Sequence, residues 1–366
     1  MDSIATIAGW LLILWALAEV FIEVLFPRAL SPPLGSLLCR VAQRIAAGLW
    51  RGGAGWQRKL TSLVGPLLVI TQILSWGLLL WLGFALIAWP RMGDTIVASG
   101  QSETPTDFFS AMYVMGYGLT TLGVGDLVPK SSGMRILFIA EAAVGFSVLT
   151  LVMTYLMSVY GAIAERNRIA LLIDTATGGS GDPYEYLRES LWLPHETKLR
   201  TEDELADALI AIYESHQFYP VLHYFRFPEP AYLLPRMLYF SLEVATVAEV
   251  IRATEGEASG RRFTASSRLW PASNQLLTEA ASNFSRRRSD GPRWDVEIAT
   301  LRDYLQRWQA VQQRQDVELE SLVSQYQELR ERWLAPLQTV ARSQGAERML
   351  VEQLARSARG EDSAEP

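Results

Sequence analysis

The chain has 366 residues, 49% hydrophobic and 20% charged, with 39 acidic against 33 basic side chains and a net charge of −6. That balance leaves no basic footprint for a nucleic-acid partner, and Cys39 as the lone cysteine excludes an intrachain disulfide. The averages hide a division: apolar residues crowd the first 165 positions and polar, charged residues dominate the rest, which predicts a membrane half and an aqueous half.

The membrane half has three stretches with the roughly 20 apolar residues that a hydrocarbon core requires: 4–26, 67–89 and 134–164. Glu19 and Glu23, four apart near the end of the first, share one helix face and read as interfacial acids. The segment 27–62 carries Arg28, Arg40, Arg44, Arg51, Arg58 and Lys59 and no acid, so the positive-inside rule places it in the cytoplasm. The N-terminus and segment 91–106 (with Asp94, Glu103 and no lysine) are then outside, and everything after the third span is inside. Within the basic loop, 37–50 has apolar residues at helical spacing between arginines and is expected to lie on anionic lipid. Trp76 and Trp89 read as lipid-facing or interfacial aromatics.

Residues 107–130 fit neither a span nor a soluble loop. About a dozen apolar-rich helical residues precede the glycines, too short at 1.5 Å per residue to cross a bilayer. The segment must enter and leave by the same face. Non-helical backbone at membrane depth is tolerated only against protein or a watery cavity. Gly123 and Gly125 take positive φ at little cost, and alternating them with Leu122 and Val124 lets successive carbonyls face one way. Four copies about an axis would stack rings of carbonyl oxygens able to replace a cation's hydration shell. The preceding helix would aim its negative C-terminal end at the cavity.

The run Thr120-Thr121-Leu122-Gly123-Val124-Gly125-Asp126-Leu127-Val128-Pro129 resembles the filter signature of the potassium-channel pore-domain family, Thr-Thr-Val-Gly-Tyr-Gly-Asp-hydrophobic-x-Pro. The resemblance covers about 65–165, with an additional N-terminal helix outside it. It implies an all-α membrane fold of outer helix, pore helix, filter and inner helix, assembled as a homotetramer. It also implies potassium coordination by Thr121, Leu122, Gly123 and Val124, with Gly125 completing the filter. Thr120, Tyr117 and Asp126 would support it. Leu122 and Val124 depart from the usual valine and tyrosine, and the Val124 change removes an aromatic ring from behind the filter. Tyr117 stands where some relatives carry a bracing glutamate; its hydroxyl can donate a hydrogen bond, or the residue can simply pack. Gly145 falls at the family's inner-helix hinge, and Arg135 where that helix often opens with a basic residue.

On the inner helix Leu149, Met153 and Met157 recur every four residues. By correspondence with the family this stripe lines the pore and forms a gate; a face toward lipid or a neighbour is the competing reading. Close packing likewise competes with a hinge at Gly145. Glu141, an acid in an apolar stretch, is expected to pair with a polar group behind the filter or on a neighbouring subunit. The first span has no repeated arginines, so no voltage sensor is expected.

The remainder, 166–366, is expected to form a helical cytoplasmic domain. Residues 178–183 read as a linker, Thr201 followed by Glu204 as the cap of a helix over 201–213, and 231–254 as a second helix. Segments 256–271 and 285–292 are polar and expected to be mobile, and Arg286, Arg287 and Arg288 make a basic cluster. From Trp294 the spacing of Ile298, Leu301, Leu305, Trp308, Leu319, Leu322, Tyr326, Leu329, Trp333 and Val340 predicts one long coiled-coil-like helix, pairing either within a helical hairpin or between subunits. Gln312 and Gln315 would form its polar central layers, and Pro336 would kink or end it. His195, His216 and His223 suit no standard zinc spacing, and no nucleophile, base and orienting group can be assembled.

The sequence therefore divides into an N-terminal transmembrane helix (1–26), a basic loop with an interfacial helix (27–62), a pore domain (63–165) and a helical cytoplasmic domain (166–366). It reads as a potassium channel subunit of the inner (plasma) membrane, not an enzyme, with potassium as permeant ion, no cofactor, lipid as surroundings and an unknown cytoplasmic ligand as an open possibility. A non-selective monovalent cation channel and a non-conducting membrane-anchored sensor or scaffold are the rival readings.

Overall fold

The computed structural model describes residues 2–26, 32–50, 60–100, 103–259, 268–284, 298–344, 346, 347 and 350. They fall into two compact units, one drawn from Met1–Ala46, Val64–Gly161 and Phe218–Leu222, the other from Ala47–Leu63, Ala162–Gln217 and His223–Pro366. Among the described residues, three helical stretches are long and apolar enough to cross a membrane: Asp2–Leu25, Leu60–Arg91 and Ser132–Ala176.

In the first unit, α1 (Asp2–Val20) runs on as a π-turn, Phe21–Leu25. It lies along α3 (Val64–Ala88). Small residues set that crossing: a Cβ on Gly9 would come 2.5 Å from the Gly83 carbonyl oxygen, and one on Gly83 would come 2.9 Å from that of Gly9. Lipid supplies no hydrophobic drive between helices, so close backbone approach of this kind is what holds two spans together. Glu19 is enclosed by protein. It is 1% exposed, and its Oε1 accepts from the Trp15 indole and from the Leu34 backbone N–H, both at 3.0 Å. Leu34 is in the first turn of α2 (Pro33–Trp50), so the carboxylate satisfies one of that helix's orphan donors. Trp76 is not lipid-facing: it is fully buried and packs edge-on against Tyr155. Arg28, Arg51, Arg58 and Lys59 of the basic loop lie outside the described residues.

After α3 and a 3-10 turn come β1 (Ile96–Ala98), α4 (Phe108–Leu119), β2 (Leu127–Pro129) and the 45-residue α5 (Ser132–Ala176). The third apolar stretch thus extends a dozen residues past its sequence-based end at 164.

The second unit is built around α8 (Leu234–Ser259). Every residue from Leu233 to Val247 is buried, the signature of a helix surrounded on all sides. Around it are α6 (Pro183–Ser190), α7 (His195–Phe218), α9 (Leu269–Phe284), α10 (Ile298–Gln312) and α11 (Leu319–Gln344). Residues 178–183 form a turn whose Asp182 caps α6, accepting from the Tyr184 N–H at 2.9 Å. Thr201 is not a cap: α7 begins six residues earlier, and the Thr201 hydroxyl donates to the Thr197 carbonyl. The expected single helix from Trp294 is instead a hairpin. α10 ends at Gln312, Gln313 has φ 55°, and Gln309 Nε2 reaches across the turn to the Val317 carbonyl at 2.6 Å. The glutamine-rich middle is therefore the turn, where polar side chains meet solvent and backbone rather than a core. Leu301, Leu305, Trp308, Leu322, Tyr326 and Trp333 are buried in this unit's own core. Pro336 sits inside α11 without ending it. The expected mobile stretch 256–271 overlaps α8 and α9, with 260–267 outside the described residues; Trp294, Arg286, Arg287, Arg288 and all of 285–292 also lie outside them.

Candidate functional site

α4 opens with a capped turn. Asp107 accepts from the Ser110 N–H at 3.0 Å, and the Ser110 hydroxyl returns a bond to the same carboxylate at 2.7 Å. Its twelve residues span roughly 18 Å, short of a hydrocarbon core. Behind α4, the Trp81 indole of α3 donates to the Met112 carbonyl at 2.7 Å. Gly116 makes room for that ring, since a Cβ there would come 3.0 Å from Trp81 Nε1.

The chain leaves and comes back at one place. β1 pairs antiparallel with β2, Ile96 opposite Pro129, Val97 opposite Val128 and Ala98 opposite Leu127. Flanking bonds extend the ribbon: the Ser99 N–H donates to the Asp126 carbonyl and the Lys130 N–H to the Thr95 carbonyl, each at 2.8 Å. Entry and exit of the short helix are thus tied together, which is what makes the segment re-entrant. The sequence reading had no ribbon here; three-residue strands carry too few residues to show a period of two.

Between α4 and β2 the backbone takes an unusual course. Thr121, Gly123 and Gly125 have φ of 57°, 63° and 78°. The glycines reach this region freely, whereas a β-branched threonine does so only where its surroundings hold it. The Thr121 N–H donates to the Gly118 carbonyl at 3.0 Å, and the Leu122 and Gly123 N–H groups to the Tyr117 carbonyl at 2.9 and 3.4 Å. Three successive N–H groups therefore turn back onto the end of α4. In a trans peptide the carbonyl points opposite to the N–H that follows it. The carbonyls of Thr120, Thr121 and Leu122 consequently face away from α4, side by side.

Other residues singled out in the sequence surround this strip. The Tyr117 side chain is 7% exposed and its hydroxyl donates to the Leu127 carbonyl, so it both packs and braces the returning limb. Thr120 donates to the Gly116 carbonyl at 2.7 Å. Asp126 Oδ1 accepts from the Leu127 N–H at 2.9 Å, and the Tyr113 hydroxyl lies within hydrogen-bond reach of the same carboxylate. Leu122 and Val124 are 73% and 50% exposed on the single chain. Arg135 Nε reaches the Pro129 carbonyl at 3.3 Å.

Of the two partners expected for Glu141, the one behind the filter on its own chain is not found among the described residues. Glu141 is fully buried against the Gly118 backbone, and among the described residues neither carboxylate oxygen has a hydrogen-bond partner. Gly145 is a packing position: a Cβ there would fall 2.1 Å from the Leu119 carbonyl oxygen. Leu149, Met153 and Met157 share a face of α5 that the single chain leaves open, all three being more than half exposed.

Two membrane-length helices with a short re-entrant helix and a glycine-rich return between them define a pore-loop membrane protein. Residues 73–161 match the sequence model of the family described as Ion channel. The chain is also 32% identical over 133 residues to the uncharacterized membrane protein YdjJ of Bacillus subtilis (strain 168); the match covers 36% of this chain and 38% of that protein. The chain thus spans under two fifths of the curated relative it matches. No solved structure matches it.

Proposed function

We propose that the chain is one subunit of a potassium-selective channel in which four copies set their 121–125 segments around a shared axis. The observation that supports this best is the row of backbone carbonyls at Thr120, Thr121 and Leu122 directed away from α4, continued through the positive-φ glycines Gly123 and Gly125. A dehydrated monovalent cation needs several oxygens at once. One chain presents only a strip, so symmetry must complete the ring. Thr121 to Val124 then hold the ion, Gly125 closes the outer end, and Thr120, Tyr117 and Asp126 fix the strip's position. The open Leu149, Met153 and Met157 face lines the cavity below and closes by excluding water. The basic 27–62 loop and the second unit lie in the cytoplasm of a plasma-membrane protein with its N-terminus outside.

The test is flux into liposomes holding the purified full-length protein, with the mass of the assembly measured in parallel. The proposal expects a four-chain particle and barium-sensitive uptake of potassium. Equal uptake of sodium would convert the reading to a non-selective channel, and a well-folded particle without flux would leave a membrane-anchored scaffold.

A further inference from the structure

The second unit contains a cavity of about 400 Å³ between α6, α7, α8 and α10. Its walls include Tyr186 from α6, Lys198 and Glu202 from α7, Arg252 from α8, and Tyr304 and Trp308 from α10. The volume is at the lower end of the range for small-molecule sites, enough for one ring system and a substituent. It is too small for a peptide helix, which is itself about 10 Å across.

The polar atoms around the cavity are unlike those elsewhere in this core. Buried tyrosine and tryptophan ordinarily find a partner for their O–H or N–H. A short way off they do: Tyr184 and Tyr326 both donate to Glu243, and Trp333 donates to Thr246 at 3.0 Å. Tyr304 and Trp308 are 3% and 2% exposed, and among the described residues no acceptor meets the Tyr304 hydroxyl or the Trp308 indole N–H, whose polar atoms open onto the cavity. Arg252 Nε also has none among the described residues. Two donors without protein acceptors therefore belong to the walls of one cavity, with the Arg252 guanidinium beside them.

Charge points the same way. Glu202, the one carboxylate in the lining, is held by Arg252 at 3.1 Å, and Arg252 is shared with Glu249 at 3.2 Å. Lys198 adds a further positive charge to the wall. Burial, with Glu202 adding to it, pushes the Tyr186 hydroxyl up to about 12 and raises that of Tyr304 further, so both remain donors at neutral pH.

We propose that this cavity is a binding site for a small planar aromatic molecule bearing one anionic acceptor group, a carboxylate or a phosphate. The ring stacks among Tyr186, Tyr304 and Trp308. The anionic group takes the bonds that Tyr304 and Trp308 leave unmade and faces Lys198, a charge-assisted contact stronger than a neutral one. The site is independent of the pore reading: it stands or falls on binding, whatever ion the membrane half conducts.

The probe is 2-naphthoate, compared with the neutral 2-naphthalenemethanol and the cationic 2-naphthylmethylammonium. Equilibrium dialysis uses the full-length protein in lipid nanodiscs, with empty nanodiscs subtracted. Saturable binding of one 2-naphthoate per chain is expected, at least about tenfold tighter than either comparator, equivalent to about 1.4 kcal/mol. Ala248→Phe, which puts a ring into the cavity wall, should abolish it. Lys198→Gln and Tyr304→Phe, which disturb packing little, should each weaken it about fivefold. Equal binding of all three probes, no saturable binding of any, or unchanged affinity in both Lys198→Gln and Tyr304→Phe would overturn the proposal even if Ala248→Phe fails to fold. A phosphate-bearing ring, 2-naphthyl phosphate, run beside the carboxylate tells which anionic group the wall prefers.

Discussion

Replacing Gly145 by alanine separates two roles for this glycine. As a flexible hinge in α5, it would be rigidified by alanine and the helix itself gains about 1 kcal/mol of propensity. The structure predicts the opposite balance. The new methyl would fall 2.1 Å from the Leu119 carbonyl oxygen, where ordinary contact begins near 3.4 Å. The obstacle is backbone at the C-terminal end of α4, not the tip of a flexible side chain. Relief requires α4 and α5 to separate by about 1 Å, and overpacking of this kind costs about 1–3 kcal/mol, occasionally more. The net expectation is a loss of up to roughly 2 kcal/mol, or a fall of up to a few degrees in the unfolding midpoint, and a deficit of about 1–3 kcal/mol against the same change at a helix glycine with free space. Because Leu119 adjoins Thr120 and Thr121, ion discrimination should fall too. Gly77→Ala is the matched control, since a Cβ there meets nothing within 4 Å. Thermal unfolding of the purified protein in detergent, followed by near-ultraviolet circular dichroism, reads the difference. If Gly145→Ala is as stable as Gly77→Ala and keeps its flux, the packing argument is wrong.

Further predictions follow from other buried groups. Glu243→Ala leaves the Tyr184 and Tyr326 hydroxyls without an acceptor in the centre of the second unit, and should destabilise it by about 3–5 kcal/mol in denaturant titrations; Glu243→Gln, which keeps one acceptor oxygen, should cost clearly less. His216 and His223 are buried with ring centroids 4.5 Å apart. Burial is the main cause lowering both, joined for His216 by His223 and Arg166 and for His223 by Arg166, and it carries His223 down to about 4. The folded state then holds fewer protons than the unfolded, so this contribution is full at neutral pH and is lost as pH falls below about 6.5. Protection of the 216–226 amides, each rate taken relative to the intrinsic exchange rate at the same pH, should fall between pH 7.5 and pH 5; unchanged protection would refute the assignment. Tyr117→Phe removes the donor to the Leu127 carbonyl, and should cost about 1 kcal/mol and raise sodium permeation relative to potassium, measured by paired flux assays.

What the sequence revealed depended on repetition. The three long helices follow from length and hydropathy, properties summed over many residues. The 120–129 strip was legible because glycines at alternate positions near two spans leave the backbone few options, and Gly123 and Gly125 do have the positive φ this required. Single long-range contacts left no such trace. Nothing in the spacing of Glu19 announces Leu34, fifteen residues on, and nothing in Trp81 announces Met112. Apolar periodicity also misled at 298–340. Both arms of the α10–α11 hairpin keep a helical period, so the pattern runs through the turn. Only the cluster Gln312, Gln313 and Gln315 hints at the break. Gly118 shows a further limit: its role is visible only from the buried Glu141 carboxylate that occupies the space a side chain would need.

The central claim concerns carbonyl oxygens of the 121–125 segment, and reversal potentials measured in planar bilayers test it most directly. With potassium on one side of the purified full-length protein and an equal concentration of sodium on the other, the account predicts a reversal potential far from zero with the sodium side positive, shifting toward zero when Gly123 is replaced by alanine, whose Cβ resists the φ of 63°. A potential near zero for the unaltered protein, or a Gly123→Ala protein that discriminates the two ions equally well, would contradict it.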